Sequence, residues 1–158
     1  MRKLALLALL TALPAQSQES IDGNVRTLAG QMTDQYASLV AKSIVQQTEP
    51  KTGRVFVTFS IEGFNGGNNV QPYLAVYQPE YKKQDSPPFA AIGEAKFRLI
   101  GVAKLCADSQ QHYRSDSLQF SEDSIRGQCA EGRGASAIVS EFQVIVSDYT
   151  VSLLMGQR

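Results

Sequence analysis

The chain changes its hydrophobic period once. Between residues 21 and 48, Val25, Leu28, Ala29, Met32, Tyr36, Leu39, Val40 and Ile44 recur at steps of three and four. Thr27, Gln31, Asp34, Gln35, Ser38 and Lys42 fill the other side. This spacing predicts one long amphipathic helix, opened at Ser20 or Asp22 and closed by Pro50 and Gly53. From Arg54 the period falls to two. Val55, Val57, Phe59 and Ile61 alternate with Arg54, Phe56, Thr58, Ser60 and Glu62, which predicts a strand with one strongly apolar face.

More strands follow. Residues 63–69 (GFNGGNN) tolerate positive φ and read as a loop. Val70 to Gln78 reads as a second strand, which Pro72 pushes toward a sheet edge. Residues 79–88 are a polar loop. In residues 89–106, Phe97, Leu99, Ala103 and Leu105 alternate with Lys96, Arg98 and Lys104, as in one long strand bent or bulged at Gly93 and Gly101. The Ala, Lys, Glu and Leu content leaves a helix over 94–105 open. Ser117–Phe120 with Ile125–Ala130, and Ala137–Val146 with Thr150–Met155, read as two hairpins. A helical segment followed by a run of strands predicts an α+β domain: one long N-terminal helix packed on an antiparallel sheet of about six strands.

The N-terminus stands apart from this pattern. Arg2 and Lys3 precede an apolar run from Leu4 to Leu13, and Ala15 and Ser17 fit a small-residue cleavage site. Residues 1–17 read as a secretory signal peptide, which leaves 18–158 as a single domain. The apolar run is too short to span a bilayer, and no later stretch is longer, so no membrane span is expected after its removal. The expected location is the periplasm or the exterior.

Export gives the two cysteines their meaning. In an oxidising compartment Cys106 and Cys129 are expected to form one disulfide, since no C-x-x-C spacing suggests redox work. The full chain carries 15 basic and 15 acidic residues and one histidine. Loss of Arg2 and Lys3 leaves 13 basic against 15 acidic, a balance that predicts no nucleic-acid partner. One histidine and two separated cysteines do not make a zinc site, and no cofactor motif is present.

Catalytic groups are equally sparse. His112 lies in a polar stretch with no nucleophile elbow or carboxylate signature near it. Glu122 and Asp123 read as a solvated turn, and Arg114, Arg126 and Arg133 as a charge-balanced surface. The expectation is therefore a non-enzymatic protein-binding domain of inhibitor, immunity or envelope-assembly accessory type. Its partner would be another protein of the envelope or the exterior. The expected contact region joins Phe64, Asn65, Asn68 and Asn69 to the tyrosines Tyr73, Tyr77 and Tyr81, with burial of the tyrosine face as the competing outcome. Two alternatives remain: a small hydrolase using His112, and a small-ligand carrier with an apolar pocket between helix and sheet. Export signal, single disulfide, small size and helix-plus-sheet order recur together in bacterial envelope proteins, a class rather than a family.

Overall fold

The computed structural model describes residues 15–63, 69–83, 91–106, 111–132 and 136–155. Among the described residues one helix, α1 (Ala15–Met32), precedes ten strands. These are β1 (Ala37–Leu39), β2 (Val45–Thr48), β3 (Val55–Gly63), β4 (Val70–Lys83), β5 (Ala91–Lys104), β6 (Gln111–Tyr113), β7 (Gln119–Phe120), β8 (Ser124–Glu131), β9 (Ile138–Val146) and β10 (Val151–Met155). They form two antiparallel five-stranded sheets rather than one sheet of six. The first runs β1-β3-β4-β5 with β2 also on β3, and the second β10-β9-β8-β6 with β7 also on β8. Each sheet is built from five strands consecutive in the chain; successive strands pair, except that β1 and β2 share one edge of β3 and β6 and β7 share one edge of β8.

The helix is shorter than its periodicity suggested. It ends at Met32, and the Asp34 carboxylate accepts the Tyr36 N–H at 2.8 Å, a local bond that turns the chain. Residues 37–48 then run along the edge of β3, broken by a 3-10 turn at Ala41–Ser43. Val40, Ile44, Val45 and Thr48 are β-branched and suit a strand, and the open edge of β3 supplies the hydrogen bonds. Pro50 and Gly53 belong to the β2–β3 turn, where Gly53 has φ of 70°. The first turn of α1 spans the expected cleavage position after Ser17.

The molecule has three layers, and the first sheet is the middle one. Ile21, Val25 and Ala29 of α1 lie against Val55, Val57, Phe59, Ala75 and Tyr77. Burying Ile21 and Val25 contributes roughly 1.5–3 kcal/mol each. The opposite face of the same sheet, through Phe56, Leu74 and Val76, meets Ile125, Phe142, Val144 and Val146 of the second sheet. Seven consecutive residues of β3, Val55–Ile61, are therefore buried, and the positions that alternate as polar face the second sheet. Thr58 is satisfied there by the Tyr113 hydroxyl at 3.1 Å.

β4 is interior, not an edge. Pro72 is tolerated because it sits where β5 ends: its carbonyl accepts the Leu105 N–H at 3.0 Å, so its missing N–H faces the end of β5. Residues 91–104 are strand, with register shifts opposite Val76/Tyr77, beside Gly101, and opposite Glu80/Lys82, beside Gly93. At Gly101 a Cβ would come within 3.1 Å of Val151 Cγ2, so the glycine lets β10 approach. The Cys106–Cys129 disulfide joins the end of β5 to β8 and ties one sheet to the other.

Candidate functional site

Loops gather at the end of the sandwich where β3 begins, and one side chain organises them. Arg54 opens β3 and is 8% exposed. Its Nε donates to Gln78 Oε1 at 2.7 Å, one terminal nitrogen to the Glu122 carbonyl at 3.0 Å, and the other to Asp148 Oδ1 at 2.6 Å. Gln78 lies on β4, Glu122 in the β7–β8 turn and Asp148 in the β9–β10 turn. The fork of the guanidinium thus locks two turns of the second sheet onto the first.

Each turn is also fixed internally. In the β2–β3 turn the Glu49 carboxylate accepts the N–H of Lys51 at 3.1 Å, and the N–H and hydroxyl of Thr52 at 2.7 Å each. These bonds, led by the Lys51 N–H, hold the Glu49 carboxyl below its ordinary pKa. In the β9–β10 turn Ser147 Oγ accepts the N–H groups of Tyr149 and Thr150 at 3.3 and 3.1 Å. Arg98 of β5 pairs with Glu80 and donates to the Asp148 carbonyl at 3.4 Å. Lys51 Nζ lies 3.3 Å from Glu122 Oε2. Between the turns is a hollow of about 670 Å³, walled by Glu49, Lys51, Arg54, Phe120 and Glu122.

This framework carries one exposed aromatic ring, and a second lies further along β4. Tyr149 is 81% exposed at the tip of the β9–β10 turn, and Tyr81 is 52% exposed on the stretch of β4 that runs past β3. Rigid loops carrying exposed aromatic groups beside mixed charge suit recognition of a protein surface, because tyrosine brings area at small entropic cost.

Among the described residues, those singled out from the sequence lie in different surroundings. Phe64, Asn65 and Asn68 lie outside the described residues. Asn69 is exposed just before β4, its carbonyl taking the Gly63 N–H at 2.9 Å. Tyr73 is half-buried and stacked on Phe59, with ring centroids 5.6 Å apart. Tyr77 is 2% exposed and belongs to the core under α1. Only Tyr81 is exposed, on the end of β4 beyond Gln78 and roughly 40 Å from Asn69 at the rise of a strand. The tyrosine spacing on β4 reported a strand buried on both faces, with a protruding end. Tyr149, Lys51 and Arg54 were missed; an arginine opening an otherwise apolar strand was the available signal.

His112 is exposed on β6 opposite Ala130. Among the described residues no group of three or more His, Cys, Asp or Glu is placed to hold a metal ion. The space between α1 and the first sheet is filled by Val25, Ala29, Val57 and Phe59, each fully buried. Among the described residues no helix is long and apolar enough to cross a membrane. The architecture is that of a helix-backed, disulfide-linked two-sheet sandwich. The chain matches no family model, no curated protein and no solved structure.

Proposed function

We propose that this is an exported, non-enzymatic protein-binding module that contacts an envelope or extracellular protein through the loop platform. Export is supported by the charged, apolar and small-residue order of positions 1–17 and by the disulfide. The observation that carries the binding reading is Tyr149: a bare aromatic ring on a turn whose neighbour, Asp148, is held by a buried arginine. A solvated turn has no need of such an anchor, whereas a contact residue gains from being pre-organised.

Site-specific photo-crosslinking in the producing cells tests this. A photoreactive residue at 149 should give a discrete adduct with a second protein. One at Gln31, on the exposed side of α1, should give none. The adduct should weaken about tenfold when Tyr81→Ala and Lys51→Glu are added. Equal labelling at 149 and 31, or an adduct indifferent to those substitutions, would refute the reading.

A further inference from the structure

The outer face of the first sheet is covered by α1. The outer face of the second sheet has no covering element among the described residues. Its side chains are those pointing away from Ile125, Cys129, Phe142 and Val144, which face the core. On this face Arg126 stands opposite Gln143, and Gln128 opposite Glu141. These four residues form one cell of the sheet, with opposite charges on one diagonal and neutral amides on the other. Arg126 and Glu141 are exposed, and neither enters a salt bridge among the described residues. Diagonal neighbours stand roughly 7–8 Å apart, within reach of long side chains, yet the two charges are not paired with each other and both are exposed. Exposed Val139, Ile145 and Leu154 flank the cell, and a shallow hollow of about 630 Å³ lies over it.

We propose that a second copy of this chain covers this face, in a two-fold face-to-face dimer. A two-fold axis along the amide diagonal exchanges the charged corners. Arg126 then lies over the partner's Glu141, and Glu141 over the partner's Arg126, so one geometry forms the ion pair twice. Gln128 and Gln143 meet their own copies on the axis, where an amide can donate and accept at once. The face is electrically complementary to itself, and the apolar flanks close around the pairs. This contact lies on the outer face of the second sheet, apart from the loop platform, and does not depend on it.

Sedimentation of the purified chain tests the dimer at roughly 1 μM to 1 mM, the range in which a small interface associates. The unaltered chain should show a reversible monomer–dimer equilibrium. Arg126→Glu alone and Glu141→Arg alone each place like charges together twice, and each should weaken association about 100-fold or more. The doubly swapped chain, R126E with E141R, should dimerise again. An equimolar mixture of the two single variants should form a heterodimer, since every pair is then complementary. All of these changes are on exposed side chains, and unchanged circular dichroism confirms the fold. A chain that stays monomeric throughout leaves the face to solvent or to a foreign partner and overturns the proposal. A dimer indifferent to the single swaps overturns it too.

Discussion

Arg54 and Asp148 are 94 residues apart in the chain and 2.6 Å apart in space. The pair is lopsided: the arginine side chain is 9% exposed and the aspartate 73%. Removing the buried partner therefore costs more than removing the exposed one. Arg54→Ala loses three hydrogen bonds and leaves the Gln78 amide and the Glu122 carbonyl without their donor, an expected loss of about 3 kcal/mol. Asp148→Asn should cost about 1 kcal/mol or less, because that carboxylate is mostly in water. Urea unfolding of the two variants measures the difference, and equal losses would contradict the asymmetry.

The Cys106–Cys129 bridge closes a separation of 23 residues. In the chain-entropy view this contributes about 3 kcal/mol by restricting the unfolded chain. A Cys106→Ala, Cys129→Ala double variant should lose about that much in denaturant unfolding. Both cysteines are fully buried, so a reductant alone should leave the bridge intact on the timescale at which reductant with urea opens it. Thiol titration after each treatment reads the result.

Gly127 on β8 lies under the Phe142 ring. A Cβ there would fall 2.6 Å from Phe142 Cζ and 3.0 Å from Leu118 Cδ2. Gly127→Ala should destabilise by about 2 kcal/mol through overpacking. Phe142→Leu removes the ring edge, so the double variant should be more stable than the sum of the single losses predicts. Strict additivity in that cycle would mean the ring is not what excludes the methyl group.

Tyr77 carries a buried hydroxyl with no hydrogen-bond partner among the described residues, and burial pushes its pKa up to about 12 from the usual 10.0. A phenol whose pKa is raised on folding by burial carries no pH-dependent cost below pH 10, and folding stability falls as the pH climbs from 10 through 12, where only the unfolded chain ionises readily. Tyr77→Phe should leave the fold intact at pH 7 and raise stability by about 1 kcal/mol, since it deletes an unsatisfied polar group. It should also flatten the decline between pH 10 and 12, measured by thermal melts across that range.

Glu49 behaves in the opposite sense. Its carboxyl is held below the ordinary 4.5 by the Lys51 and Thr52 donors, so its contribution is present above that value and disappears as pH falls below it. Glu49→Gln should make stability less dependent on pH in this acid range. An unchanged acid slope would remove Glu49 from the account.

Local signals were legible in the sequence, and partnerships between layers were not. The hairpins β7–β8 and β9–β10 were readable because their turn residues and alternation agree within a few positions. The disulfide was readable from compartment and count. Residues 37–48 misled because Leu39, Val40 and Ile44 fit a helical stripe as well as an edge strand, and only the open side of β3 decides between them. The second sheet was hidden for a related reason. Phe56, Thr58 and Ser60 read as the wet side of β3, but Tyr113 and the neighbouring sheet lie against them. Arg54 looked like one more solvent-facing charge, because its three partners lie 24, 68 and 94 positions away.

The division of the chain between the two sheets has a consequence in time. Every strand of the first sheet lies before residue 105, and every strand of the second after residue 110. As the chain emerges from its N-terminus, α1 and the first sheet can assemble while the rest is still being delivered, with one wall of that sheet wet. Cys106 waits at the end of this first half for Cys129, which arrives only with the second. Bond formation between them thus marks the moment at which the halves close on each other, and the last step of assembly is recorded in a covalent bond.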